Sequence, residues 1–212
     1  MILPVVALFF LAHTVTAQDA GLAGTYDVAA TNPDGSPYRG SLTITQDGDS
    51  YGFFWNVIST FQGAGFRDGN IVVVGWGGDQ CSAVLYRVQP DGALQGRWSV
   101  AGTRGFGSEL AQPAARTGSV AGAYAVNGTN PDGSPYTGSL QITERGPTYQ
   151  MGWDIPRHYD GVGVRLPDTV SGSWGPGACA VVAYEVQADG SLVGVWGLWG
   201  EDGQGTETAR KR

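Results

Sequence analysis

Two kinds of side chain in this sequence could do chemistry, and both recur at one fixed spacing. Arg67 and Glu109 are matched by Arg165 and Glu207, and Cys81 is matched by Cys179, each 98 residues further on. A guanidinium and a carboxylate can form a bidentate, charge-assisted bridge. Arg67 with Glu109, and Arg165 with Glu207, are therefore expected to pair across the end of a folded unit and fix its register. The alternative is two separately solvated side chains. For the cysteines, an even count in an exported chain raises the expectation of a disulfide. The alternative is that each is a small buried hydrophobe in its own unit.

Other constellations are thinner. Asn32, Asp34 and Ser36 place oxygen side chains two residues apart, like the opening of a calcium loop, but the downstream bidentate glutamate is missing and no metal is expected. His158 has no counterpart in the matching segment, and no nucleophile–base set, metal-ligand spacing or phosphate loop is present. No catalytic residue and no cofactor are assigned, and the expectation is a non-enzymatic protein. Asn127-Gly128-Thr129 is a glycosylation sequon, relevant only to a eukaryotic source. The aromatic residues remain. Tyr38, Trp55, Trp76 and Trp98 recur as Tyr136, Trp153, Trp174 and Trp196, and could line a ligand cavity or simply fill a core.

These residues ride on a duplication. Gly24 to Glu109 aligns without a gap on Gly122 to Glu207, with about 45% of positions identical. Besides the aromatics above, the copies share Tyr26/Tyr124, Tyr51/Tyr149 and Tyr86/Tyr184. Shared glycines include Gly63/Gly161, Gly65/Gly163, Gly96/Gly194 and Gly107/Gly205. Period-two alternation marks strands at Tyr26-x-Val28, Leu42-x-Ile44, Phe53-x-Trp55-x-Val57, Val84-x-Tyr86-x-Val88 and Leu94-x-Gly96-x-Trp98. Turn residues separate them, notably Asn32-Pro33-Asp34-Gly35, with each residue where a type I turn prefers it. About eight short strands per copy without long crossovers predict an all-β protein of two small antiparallel up-and-down meanders, eight-stranded barrels. The boundaries expected are a signal peptide at 1–17, a first β-repeat at 18–109, a linker at 110–120, a second β-repeat at 121–209 and a basic tail at 210–212.

Composition agrees. The chain has 35 glycines among 212 residues and only 15% charged side chains, a balance suited to tight turns and short strands rather than helices. A net charge of −7 argues against nucleic acid and anionic membrane surfaces. Ile2 to Ala12 is an apolar run of signal-peptide length followed by the small-x-small triplet Val15-Thr16-Ala17. Periplasmic or secreted localisation is expected, with no transmembrane segment after cleavage.

The segment Gly-x-Tyr-x-Val-x-Gly-Thr-Asn-Pro-Asp-Gly-Ser-x-Tyr, followed by Cys-x-x-Val-x-Tyr and Asp-Gly-x-Leu-x-Gly-x-Trp, resembles small exported alphaproteobacterial proteins often labelled fibronectin-binding. In general pattern the chain is also similar to avidin-like and lipocalin-like barrels. The first resemblance implies an exported binding or adhesion protein directed at extracellular-matrix protein, with two similar sites and hence avidity. The second implies a carrier of a small apolar ligand or sugar in an aromatic-lined interior. Inhibition of exported proteases is a third expectation. An open, aromatic-lined cavity would favour the carrier, and a filled core the protein binder.

Overall fold

The structure is a computed structural model and describes residues 21–212 apart from 79 and 117. The signal-peptide segment at 1–17 lies outside the described residues. Among the described residues all regular structure is β, in sixteen antiparallel strands that close two eight-stranded barrels. No described helix is long and apolar enough to cross a membrane.

The first repeat supplies β1 (Gly24–Thr31), β2 (Pro37–Asp47), β3 (Ser50–Asn56), β4 (Thr60–Asp68), β5 (Ile71–Trp76), β6 (Ser82–Val88), β7 (Leu94–Ser99) and β8 (Gly107–Pro113). The second supplies β9 (Gly122–Thr129), β10 (Pro135–Arg145), β11 (Thr148–Ile155), β12 (Arg157–Leu166), β13 (Thr169–Trp174), β14 (Ala180–Val186), β15 (Leu192–Gly197) and β16 (Gln204–Lys211). The fold class is the one expected, but a barrel is not a repeat. β5 does not pair with β6, the next strand; it pairs with β14, the copy of β6, and β6 pairs with β13. One barrel, here the terminal barrel, is therefore β1–β5 closed by β14–β16, and the other, the central barrel, is β6–β13. The chain passes between them after Trp76 and again after Trp174, and the Cys81–Cys179 disulfide joins these two crossovers with Cα atoms 5.6 Å apart.

Two boundaries also move. β8 continues through Pro113, so residues 110–113 are strand and not linker. The basic tail is the end of β16: Lys211 pairs with Tyr26, and Arg212 Nε donates to Asp27 at 2.9 Å. The charges there belong to an edge-to-edge seam that completes the terminal barrel.

Each barrel buries its own core, and a third apolar cluster lies between the barrels. Phe66, Ile71, Val73, Ala83, Leu85, Val162, Val164, Val181 and Ala183 form that cluster. Strands β5, β6, β13 and β14 are thus buried on both faces, which is why they read as near-continuous apolar runs such as Ile71-Val-Val-Val74. One end of each barrel is plugged. Tyr26 donates to the Leu22 carbonyl at 2.6 Å, and Tyr124 to the Val120 carbonyl at 2.8 Å, with Leu22 and Val120 buried beneath. The other end, where both crossovers enter and leave, is open.

Candidate functional site

Each barrel holds a cavity at its open end. That of the terminal barrel is about 340 Å³ and that of the central barrel about 230 Å³. The thirteen residues lining one correspond, position for position at the 98-residue offset, to the thirteen lining the other. In the terminal barrel the walls are Trp55, Trp76, Trp196, Phe61 and Tyr38, with Ile58 and Leu198 at the mouth. Their counterparts are Trp153, Trp174, Trp98, Tyr159 and Tyr136, with Pro156 and Val100. All eight aromatics singled out in the sequence face a cavity. Because strands are exchanged, Trp98 of the first repeat serves the central barrel and Trp196 of the second serves the terminal one.

The indoles form a tilted array. Trp76 stands between Trp55 and Trp196, with ring centroids 6.3 and 6.1 Å away, and Phe61 meets its edge at 5.2 Å. In the central barrel Trp174 stands between Trp153 at 5.6 Å and Trp98 at 6.0 Å. Glycines seat these rings. A Cβ at Gly205 would fall within the Trp196 indole, and one at Gly194 against the Tyr184 ring; Gly107 and Gly96 relate in the same way to Trp98 and Tyr86. These four glycines are therefore hollows moulded to the aromatics of the cavities.

At the floor lies a glutamate. Glu207 is 4% exposed and Glu109 5%. Glu207 accepts hydrogen bonds from Tyr184 at 2.5 Å, Trp55 Nε1 at 2.9 Å and Tyr38 at 3.1 Å. Glu109 accepts from Tyr86 and, at 2.8 Å, from Tyr136. Those tyrosines in turn accept from indoles, Trp153 Nε1 to Tyr86 at 3.0 Å and Trp98 Nε1 to Tyr136 at 2.9 Å. Burial raises both glutamate pKa values above the ordinary 4.5, and the hydroxyl and indole donors oppose it. Burial, reinforced by the nearby glutamate, also holds Tyr86 and Tyr184 well above the ordinary phenol range.

The expected Arg–Glu bridges are not formed. Arg67 lies in the terminal barrel and Glu109 in the central one. Arg67 Nε donates to the Gly69 carbonyl at 2.7 Å, near the plugged end, where its charge acts on Tyr26. Arg165 acts likewise on Tyr124. Each glutamate is at the opposite, open end of its barrel from the arginine that shares it. The functional positions that sequence reasoning missed are these two glutamates as cavity floor and the tyrosines Tyr86 and Tyr184 beside them.

The remaining candidates fall outside the cavities or at their rims. Asp34 accepts from Ser36 N at 2.9 Å and Ser36 Oγ at 2.6 Å, bonds that hold its pKa down, and Asp132 repeats this with Ser134. The oxygen-rich segment is thus a self-satisfied turn at the cavity rim. His158 Nδ1 meets Asp154 at 2.7 Å and Nε2 meets Asp160 at 3.2 Å, which raises its pKa. No protein-family model, curated protein or solved structure matches the chain.

Proposed function

We propose that this is a non-enzymatic, exported small-molecule-binding protein with two equivalent ligand sites, one in the open end of each barrel. The observation that carries the reading is the pair of open, aromatic-walled cavities with corresponding linings, each with a polar group fixed at its base. Such a combination of apolar walls and a few oriented polar groups is the usual character of a ligand pocket. At about 340 and 230 Å³ the cavities suit small ligands, near or below the lower end of the range of roughly 300–1,000 Å³ for ligand pockets. The cavities favour this reading over matrix adhesion, which needs a surface rather than a lined interior. Export is supported by the N-terminal apolar run and by a disulfide that an oxidising compartment would preserve.

Tryptophan-fluorescence and calorimetric titration against a chemically varied panel of small solutes tests the reading. The expected result is saturable quenching with two sites per chain, weakened by Trp76→Ala or Trp174→Ala in one site at a time. Binding to immobilised fibronectin at micromolar concentration, unaffected by either substitution and without any small-molecule response, would instead favour matrix adhesion.

A further inference from the structure

Both cavities present a carboxylate that no described cationic side chain pairs with. Among the described residues, no lysine, arginine or histidine lies within ion-pair distance of Glu109 or Glu207. Buried charges in proteins are normally paired. Their hydrogen-bond partners nonetheless favour the ionised form. An indole can only donate, and Trp55 Nε1 donates directly to Glu207. In the central barrel two indoles donate to the Tyr86 and Tyr136 oxygens, which directs both hydroxyl protons onto Glu109. Above each carboxylate stand three indoles whose faces carry the negative end of the ring quadrupole. A carboxylate at the floor and indole π-systems in the walls attract the same kind of guest.

We propose that each cavity binds a small organic cation, an alkylammonium head seated among the indoles with the buried glutamate as its counter-charge. The proposal rests on the ligand-binding reading above and adds the chemical class. The cavities should differ in strength. Ser59 at the mouth of the terminal cavity is replaced by Arg157 at the central one, where a fixed positive charge opposes a cation. The terminal cavity is therefore the tighter site.

The test compares choline with 3,3-dimethylbutan-1-ol, its uncharged carbon isostere, by calorimetry and tryptophan fluorescence on the intact mature chain. Choline is expected to bind at least about tenfold more tightly than the alcohol. Glu207→Gln is expected to remove most of that preference at the tighter site, the readout being the ratio of the choline and alcohol affinities. Circular dichroism and a thermal melt establish that the variant folds, and the comparison on the unaltered chain stands without it. Phosphatidylcholine vesicles distinguish the two sources of the cation. Vesicle binding in addition to choline supports a lipid headgroup, and choline binding alone supports a free solute. Equal affinity for choline and the alcohol overturns the proposal but leaves the ligand-binding reading intact. If neither these probes nor the wider neutral panel binds, that reading fails as well.

Discussion

The two cavities share most of their lining residues, and one position behind a lining tyrosine differs by a single methyl group. Tyr136 lies over Gly128, where a Cβ would fall on its ring. The equivalent position in the terminal barrel is Ala30, opposite Tyr38. With that methyl beneath it, Tyr38 stands further out and is only half-buried. Its bond to Glu207 is 3.1 Å against 2.8 Å for Tyr136 to Glu109, and buried Trp196 Nε1 lies near the Tyr38 hydroxyl without a well-formed hydrogen bond, whereas Trp98 Nε1 reaches Tyr136 at 2.9 Å. Gly128→Ala should therefore lift Tyr136, break its bond from Trp98 Nε1 and lengthen its bond to Glu109, as Ala30 does for Tyr38. The lost partner costs about 1–3 kcal/mol, so a net loss of that size is expected. Ala30→Gly should do the reverse. The glycine costs about 0.5–1 kcal/mol in a strand, and the recovered Trp196 bond returns roughly 0.5–1.5 kcal/mol, so stability should barely move. Equilibrium urea unfolding gives the energies, and indole N–H exchange by NMR reports the bonds: Trp98 should lose protection in the first variant and Trp196 gain it in the second. If Gly128→Ala stays within about 0.5 kcal/mol of the parent with Trp98 protection unchanged, the methyl does not set the position of the tyrosine and the reasoning is wrong.

Three further outcomes are expected. Replacing both cysteines by serine opens a 98-residue covalent loop and should lower stability by about 4–5 kcal/mol on the chain-entropy estimate, measured by denaturation without reductant. Because burial raises the pKa of Glu109 and Glu207, their protonated forms favour folding. Stability should then fall as pH rises from the ordinary 4.5 through the raised values, and the Glu109→Gln/Glu207→Gln double variant should not show that fall when melts are compared across pH. Finally, residues 82–174 contain every strand of the central barrel, so a fragment spanning 80–176 should fold alone; an unfolded dichroism spectrum would refute the independence of its core.

The cavity aromatics were legible because the gap-free duplication marked Trp55, Trp76, Trp98 and Tyr38 as retained, and their period-two placement put them inside. The strand partners were not legible. β14 is the copy of β6, so β5 meets nearly the same ladder chemistry whichever it pairs with, and only the path of the short crossovers decides. The glutamates were misread by charge. Gly107-x-Glu109-x-Ala111 and Gly205-x-Glu207-x-Ala209 alternate buried and exposed positions, so the strand period itself assigns the carboxylate to the interior. The matching recurrence of Arg67 and Arg165 pointed instead to an ion pair across the barrel end. The continuous apolar run at Ile71 to Val74 likewise announced a strand covered on both faces, and hence the contact between barrels.

The disulfide between the crossovers also decides how the molecule would respond to being pulled. The chain enters on β1 and leaves on β16, neighbours whose outer ends lie together at Tyr26 and Lys211. Tension applied to the two termini would peel these strands apart one residue pair at a time and then unravel the terminal barrel. At Cys81 and Cys179 the covalent bridge offers a shorter route than the polypeptide, so the load crosses it and never enters residues 82–178. The central barrel, with its aromatic cavity, would hang from the stretched chain as a sealed, unloaded bead until the bridge is reduced.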